Sequence, residues 1–298
     1  MWNLLAMVVM TFSLPAHAAL TILATVPEWA ALAQEIGGDK VRATSATTGL
    51  QDPHHVDARP SLIARARSAD LLIATGAELE IGWLPVLQRE SGNARIQQGA
   101  AGYFEAAGLV RMMEVPVRLD RADGDVHAAG NPHIQTDPRN MLKVGEALAA
   151  RMAQLDVANA AAYRSGFASF ATRWHGQLAA WEQRAAPLKG IPVVTQHKAW
   201  PYLFGWLGLR EVATLEPKPG VEPTVAHLAR VREQASSSRP RMVIRAAYNS
   251  ARPAEWLAAQ TGLPVVVLPF TVGGTSAATD LTSLYGDTVA RLLKGAGP

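Results

Sequence analysis

The side chains in this chain best suited to metal chemistry are its histidines. The sequence contains eight histidines and no cysteine. We therefore expect no disulfide, thiolate zinc site, iron–sulfur cluster, cysteine nucleophile or lipid-bearing N-terminal cysteine. Any metal site must use nitrogen and oxygen ligands.

Five of the histidines are predicted to lie in turns or at the ends of strands. They are His54, His55, His127, His133 and His197. Ligands of open parallel α/β sheets bind beyond the carboxyl ends of strands, and His54 and His197 follow predicted strands in different halves of the chain. A single histidine is more often structural, but together these residues indicate a shared cleft. His175 and His227 lie in helical patterns, and we interpret His175 as an ordinary side chain.

The elements that must position these histidines alternate between short β-branched runs and longer helical patterns. This alternation is typical of an α/β protein with mainly parallel sheets. The predicted strands of the first half are 21–26, 41–47, 71–75 and 94–98, and those of the second half are 191–195, 211–215, 242–246 and 265–268. Two similar α/β domains are the simplest architecture.

A long helix is predicted to join the two halves. Asp137-Pro138 begins a helix that runs to about residue 154, since a capping carboxylate precedes a proline at the first helical position. From Tyr163 to Trp181, apolar residues follow at spacings of 4, 3, 4, 4 and 3. A helix over 158–186 would be roughly 43 Å long at 1.5 Å per residue. The predicted organisation is a signal peptide (1–18), an N-terminal lobe (19–136), a helical connector (137–189) and a C-terminal lobe (190–298).

The first eighteen residues have the features of a secretory signal. They carry no charged side chain and end in Ala16-His17-Ala18, a small-x-small pattern that predicts cleavage after Ala18 and export to the periplasm. An apolar membrane anchor is the alternative. Basic residues exceed acidic ones by only 28 − 25 = 3 and are scattered, so we expect no nucleic-acid partner.

Several motifs in order resemble one family, the zinc and manganese solute-binding proteins of ABC importers that have a rigid interdomain helix. The motifs are Ala24-Thr25-Val26-Pro27 with Ile36-Gly37-Gly38-Asp39, Asp52-Pro53-His54-His55 with Arg59-Pro60-Ser61, Ala69-Asp70-Leu71-Leu72, Asn131-Pro132-His133 with Asp137-Pro138-Arg139-Asn140, and Gln196-His197-Lys198-Ala199-Trp200-Pro201. The resemblance covers almost all of the mature chain. It implies a two-domain fold that binds metal between the domains and delivers it to a membrane permease. We also expect a monomer.

The resemblance also implies the metal ligands. His54 lies six residues before Pro60, where the family has its first ligand, and His133 and His197 correspond to the second and third. Many relatives carry an aspartate directly after the last strand, but residues 268–274 contain no acid. The next acid is Asp280, which the resemblance suggests as the fourth ligand if a Gly-Gly loop brings it back to the cleft. The alternative is that Asp280 caps the final helix and that water or another side chain completes the site.

Three imidazoles and one carboxylate fit tetrahedral Zn²⁺, whereas Mg²⁺ and Ca²⁺ require six or more oxygens. We therefore expect zinc as the transported ligand. Manganese-binding relatives look to use a carboxylate where this chain has His197, so a manganese-binding homologue is the alternative.

The segment 119–130 contains Asp123, Asp125 and His127 and resembles a shortened form of the His/Asp-rich loop of many zinc-binding relatives. It is interpreted either as a weak site for metal capture or exchange with a periplasmic donor protein, or as a plain solvated linker. His55 is a possible auxiliary ligand.

Two other classes of function share these features. A zinc hydrolase also uses three histidines with an open fourth position. However, the sequence has no HExxH, GxSxG, P-loop or GxGxxG motif, and Glu78 or Glu80 could act as a general base only by facing the cleft. A binding protein for haem or an iron chelate on the same scaffold is the other alternative. We expect that the protein is not an enzyme.

Overall fold

A computed structural model describes residues 18–118, 124 and 127–297 of the chain. Its strands form two parallel four-stranded sheets, with the orders β2-β1-β3-β4 and β6-β5-β7-β8. The strands are β1 (Leu20–Ala24), β2 (Val41–Ser45), β3 (Leu71–Ala74), β4 (Tyr103–Glu105), β5 (Pro192–Thr195), β6 (Arg210–Thr214), β7 (Val243–Ala246) and β8 (Val265–Leu268). The second sheet repeats the strand order of the first, which confirms the predicted fold class.

Helices cover both faces of each sheet. They are α1 (Pro27–Gly37), α2 (Pro60–Ser68), α3 (Leu84–Ser91), α4 (Pro138–Leu155), α5 (Ala160–Ala185), α6 (Pro201–Leu207), α7 (Val225–Ser238), α8 (Arg252–Thr261) and α9 (Leu281–Ala296). Six of them carry a proline at one of the first two positions, where the missing N–H costs no hydrogen bond. None of the helices in the described ranges is long and apolar enough to cross a bilayer.

Helix α5 links the two halves through one continuous hydrophobic core. It packs against α1 and α4 on the first half and against α9 on the second. Its predicted apolar stripe faces inward. Trp174 is buried, its indole N–H donates to the Pro138 carbonyl at 2.8 Å, and its ring meets Tyr285 of α9 at 5.5 Å between centroids. With 26 residues, α5 is about 39 Å long, so it acts as a stiff support beneath both sheets.

One strand prediction is wrong. Residues Ala94–Ile96 form a 3-10 turn, and the fourth strand of the first sheet is the three-residue segment Tyr103–Glu105. The Asn93 side chain accepts a hydrogen bond from the Arg95 N–H, and this local bond favours a turn over an extended strand. The predicted signal segment lies outside the described residues except for Ala18, so its cleavage stays a prediction.

Glycine allows a close approach between α5 and α1. A Cβ on Gly166 would lie 2.0 Å from the Ile36 carbonyl oxygen, whereas a Cβ on Gly176 of the same helix would meet nothing within 4 Å. An alanine at position 166 would therefore test both packing and helix propensity, whereas an alanine at position 176 would test helix propensity alone.

We expect Gly166→Ala to lower the free energy of unfolding by about 1–3 kcal/mol, because the added methyl group forces α5 away from α1. Gly176→Ala, the matched control, should raise it by up to about 1 kcal/mol, because alanine favours a helix. Denaturant unfolding followed by circular dichroism measures both values. Equal effects of the two substitutions would contradict the close packing at Gly166.

Candidate metal centre

Three histidine side chains from the two halves converge at the seam between the sheets. The ring centroids of His54, His133 and His197 lie 5.3–5.7 Å apart, and their potential ligand atoms all lie within 4.8 Å of one another. Among the described residues, this is the group of His, Asp and Glu side chains close enough to hold one metal ion.

Each histidine is placed by the end of an element. His54 lies in the loop that follows β2, His197 lies two residues after β5, and His133 precedes the short 3-10 turn that leads into α4. Strands β2 and β5 are parallel to their neighbours, so their carboxyl ends open on the seam. The sheets therefore deliver side chains that are far apart in sequence to one point.

Two of the histidines are oriented by the same local motif. In Asp52-Pro53-His54 and Asn131-Pro132-His133, the first side chain accepts hydrogen bonds from both the backbone N–H and the ring Nδ1 of the histidine. The Nδ1 contacts are 2.8 Å for His54 and 2.7 Å for His133. Because an oxygen acceptor assigns the proton to Nδ1, the lone pair of each neutral ring is on Nε2.

The third histidine is oriented by a residue that is distant from it in the sequence. The Nδ1 of His197 lies 2.7 Å from Oε2 of Glu216, which also accepts a hydrogen bond from the Gly220 N–H. The same reasoning assigns the proton of His197 to Nδ1. All three rings are thus held with Nε2 available as a metal ligand. In zinc sites, hydrogen-bond acceptors on the other ring nitrogen orient histidine ligands in the same way.

The three rings are buried, with 9%, 2% and 6% of His54, His133 and His197 exposed. The Nε2 atoms of His54 and His133 are also buried and have no hydrogen-bond partner in the described structure. An unpartnered buried nitrogen costs free energy, and a bound metal ion would remove that cost. Burial, followed by the charges of His197, His54 and His127, holds the pKa of His133 well below its usual 6.5. The ring is therefore kept neutral, the form that binds metal.

A cavity of about 470 Å³ leads from His133 and His197 to the surface. The ring of His127 stacks on His54 with 5.5 Å between centroids, and Phe270 lies edge-on to His133 at 5.4 Å. His55 is exposed, and its ring lies 6.4 Å from that of His54. Asp123 and Asp125 lie outside the described residues.

Asp280 does not join the three histidines. It is exposed and forms the N-cap of α9, where its carboxylate accepts a hydrogen bond from the Ser283 N–H at 2.7 Å. The Gly-Gly loop packs closely against the loop after β2, since a Cβ on Gly49 would lie only 2.2 Å from the carbonyl carbon of Gly273. Asp280 thus occupies the helix-cap position that the alternative interpretation gave it.

The acids considered as general bases also lie elsewhere. Glu80 is buried and accepts hydrogen bonds from the Thr25 hydroxyl and from the N–H groups of Thr75 and Gly76. Glu78 and Glu80 line a separate cavity, which does not include the three histidines.

Sequence reasoning missed the three side chains that orient the imidazoles. Asp52 and Asn131 had a signal, because each stands two residues before a histidine across a proline. Glu216 had none, since it lies 19 residues after His197 and reaches it only because β5 and β6 are paired.

Comparisons with known proteins identify the relatives of this chain. The model of the family described as zinc-uptake complex component A periplasmic (ZnuA) matches residues 22–295. The high-affinity zinc uptake system protein ZnuA of Bacillus subtilis is 24% identical over 221 residues, which cover 73% of this chain and 67% of that protein. The metal ABC transporter substrate-binding lipoprotein SloC of Streptococcus mutans is 21% identical over 90% of this chain and 86% of its own length.

The fold has solved counterparts. A zinc-bound deletion mutant of ZnuA, 22% identical, superimposes with a TM-score of 0.77 over 94% of this chain and 99% of that one. The family match spans nearly the whole chain, both sheets included. The chain therefore belongs to the zinc-uptake complex component A family, the metal-binding substrate-binding proteins of ABC importers.

Proposed function

We propose that this protein captures Zn²⁺ in the periplasm through His54, His133 and His197 and delivers it to the permease of an ABC importer. The observation that carries this proposal is the convergence of three buried imidazoles, each with its Nδ1 paired to an oxygen. The fourth position is left to water or to another side chain, and Asp280 is not part of the proposed set.

The ligand chemistry supports zinc. Tetrahedral Zn²⁺ holds nitrogen ligands at about 2.0–2.1 Å, which places them roughly 3.3 Å from one another. The ligand atoms of this site already lie within 4.8 Å of one another, so a contraction of about 1.5 Å at most completes the geometry.

Manganese and hydrolysis are less well supported. Mn²⁺ prefers carboxylate oxygens, and among the described residues no carboxylate joins the three histidines. A hydrolase requires a base near the metal-bound water, but Glu78 and Glu80 line a different cavity.

In the proposed mechanism of metal delivery, ligands from two lobes bind the same ion. We propose a lobe of residues 19–136, which supplies His54 and His133, and a lobe of residues 190–298, which supplies His197, with the connector 137–189 between them. An ion bound to both lobes reduces their relative freedom, and a permease can distinguish the two states only by contacts that differ between them. The protein acts as a monomer and receives zinc from solution or from a donor protein.

We expect His133→Ala to weaken zinc binding by more than about 100-fold, because loss of a direct ligand exceeds the 10- to 100-fold cost of losing an outer partner. Competition with a chromogenic chelator measures the affinity, and circular dichroism checks the fold. His175→Ala, at an exposed position of α5, is the matched control and should bind zinc like the unmodified protein. A threefold or smaller loss for His133→Ala would overturn the ligand assignment.

The pKa of His133 predicts how the stability of the metal-free protein depends on pH. The lowered pKa keeps the folded ring neutral, whereas in the unfolded chain it takes a proton near the usual 6.5. The unfolded state therefore binds more protons as pH falls below 6.5, and stability should decrease by up to about 1.4 kcal/mol per pH unit from this residue. Unfolding at several pH values measures the slope, which His133→Ala should reduce and His175→Ala should preserve.

We expect Asp280→Ala to leave zinc affinity unchanged within twofold. The substitution should lower the free energy of unfolding by about 0.5–2 kcal/mol, because it removes the cap of α9. Chelator competition and denaturant unfolding separate the two effects. A large loss of affinity without loss of stability would restore Asp280 as a ligand.

A further inference from the structure

A set of hydrogen bonds crosses the seam beside the metal site. The Asn131 carboxamide accepts a hydrogen bond from the His133 ring through Oδ1, and its Nδ2 donates to the Lys198 carbonyl at 2.8 Å and to Glu114 Oε2 at 3.0 Å. Lys198 directly follows His197. One buried side chain thus holds a ligand of the first half and the backbone beside a ligand of the second.

A tyrosine side chain forms further hydrogen bonds across the seam, next to those of Asn131. The Tyr202 hydroxyl, at the start of α6 in the second half, donates to the Asn131 carbonyl at 2.8 Å. It also accepts a hydrogen bond from the Met113 N–H at 3.0 Å. Tyr202 is only 3% exposed, so water competes poorly for these bonds. They tie Met113 and Asn131, which are 18 residues apart in the sequence, to the second half.

Only an amide at position 131 can make all of these bonds. Its oxygen accepts from His133, and its nitrogen supplies the two N–H donors that the Glu114 carboxylate and the Lys198 carbonyl require. An aspartate would offer no donor to either oxygen. By contrast, Asp52 of the otherwise identical Asp52-Pro53-His54 motif only has to accept from its own histidine.

We propose that Asn131 and Tyr202 form an interlobe clasp that holds His133 and His197 within reach of one ion before the ion arrives. The clasp rests on the proposed zinc-binding function and assigns these two side chains as positioning residues of that site. When the ligand groups are already ordered, binding does not have to supply the free energy that ordering them would cost. Loss of the clasp therefore weakens affinity and speeds release, although the ligands themselves are intact.

The sharpest test is Tyr202→Phe, which removes one hydroxyl and touches no metal ligand. We expect about 5- to 10-fold weaker zinc binding and a correspondingly faster release, measured by chelator competition and by stopped-flow transfer of zinc to excess chelator. Tyr163→Phe is the matched control. It removes an equally buried tyrosine's hydroxyl, which donates to Asp156 at 2.6 Å away from the metal site, so it should lower stability but change affinity less than twofold.

A spectroscopic measurement separates positioning from simple stability. Co²⁺ bound in place of zinc has visible absorption bands that report the geometry of its ligands. Tyr202→Phe should keep the bands of the unmodified protein, because the three imidazoles remain oriented. Asn131→Ala frees the His133 ring as well, so it should change the bands and weaken zinc binding by more than 10-fold.

The outcomes distinguish the two proposals. If the unmodified protein binds zinc tightly and Tyr202→Phe binds and releases it at the same rates, the clasp is wrong and the zinc-binding function stands. If Tyr163→Phe weakens binding as much as Tyr202→Phe, the effect is one of general stability and the clasp is again wrong. If the unmodified protein binds no zinc, the proposed function fails and the clasp fails with it.

Discussion

The structure depends on keeping three imidazoles buried at one point with their Nε2 atoms directed inward. Each ring is held by a hydrogen bond from its Nδ1–H to an oxygen of Asp52, Asn131 or Glu216. Burial alone would make such a cluster costly, since two of the inward nitrogens have no protein partner in the described structure. The arrangement is therefore poorly suited to stability and well suited to an ion that prefers nitrogen ligands.

The repeated fold makes this convergence possible. Two parallel sheets with the same strand order direct the carboxyl ends of their strands toward a common seam. Helix α5 supports both halves, and the contact of Gly49 with Gly273 brings their loops together at backbone distance. The three histidines are therefore brought together from two halves that share one continuous support.

A site of three histidines with an open position resembles the sites of zinc hydrolases. The residues around the histidines are therefore relevant, because a hydrolase also needs a general base near the metal. Here the nearby groups are Phe270, which packs against His133, and the amide of Asn131, which orients it. The buried acid Glu80 is engaged by Thr25 and two backbone N–H groups in another part of the first half. Among the described residues, Glu78 and Glu80 line a cavity that does not include the three histidines.

Much of the fold could be predicted from the sequence because its signals are local. The β-branched runs, the apolar stripe of α5 and the proline-led helix starts each depend on residues a few positions apart. The prediction of a strand at 94–98 is wrong for a reason that is also local, since the hydrogen bond from the Arg95 N–H to the Asn93 side chain favours a turn. The fourth strand, Tyr103–Glu105, is too short to give a periodic signal.

The sequence by itself excluded thiolate ligands, because the chain has no cysteine, and its histidines at strand ends predicted nitrogen ligands. The orientation of His54 and His133 is also local, since each is held by a side chain two residues away, although this role of Asp52 and Asn131 was not predicted from the sequence. Only the tertiary structure decided that Glu216 orients His197 and that Asp280 caps a helix instead of reaching the site. These contacts depend on strand pairing and on the packing of two loops, and such distances between remote residues exist only once the chain has folded.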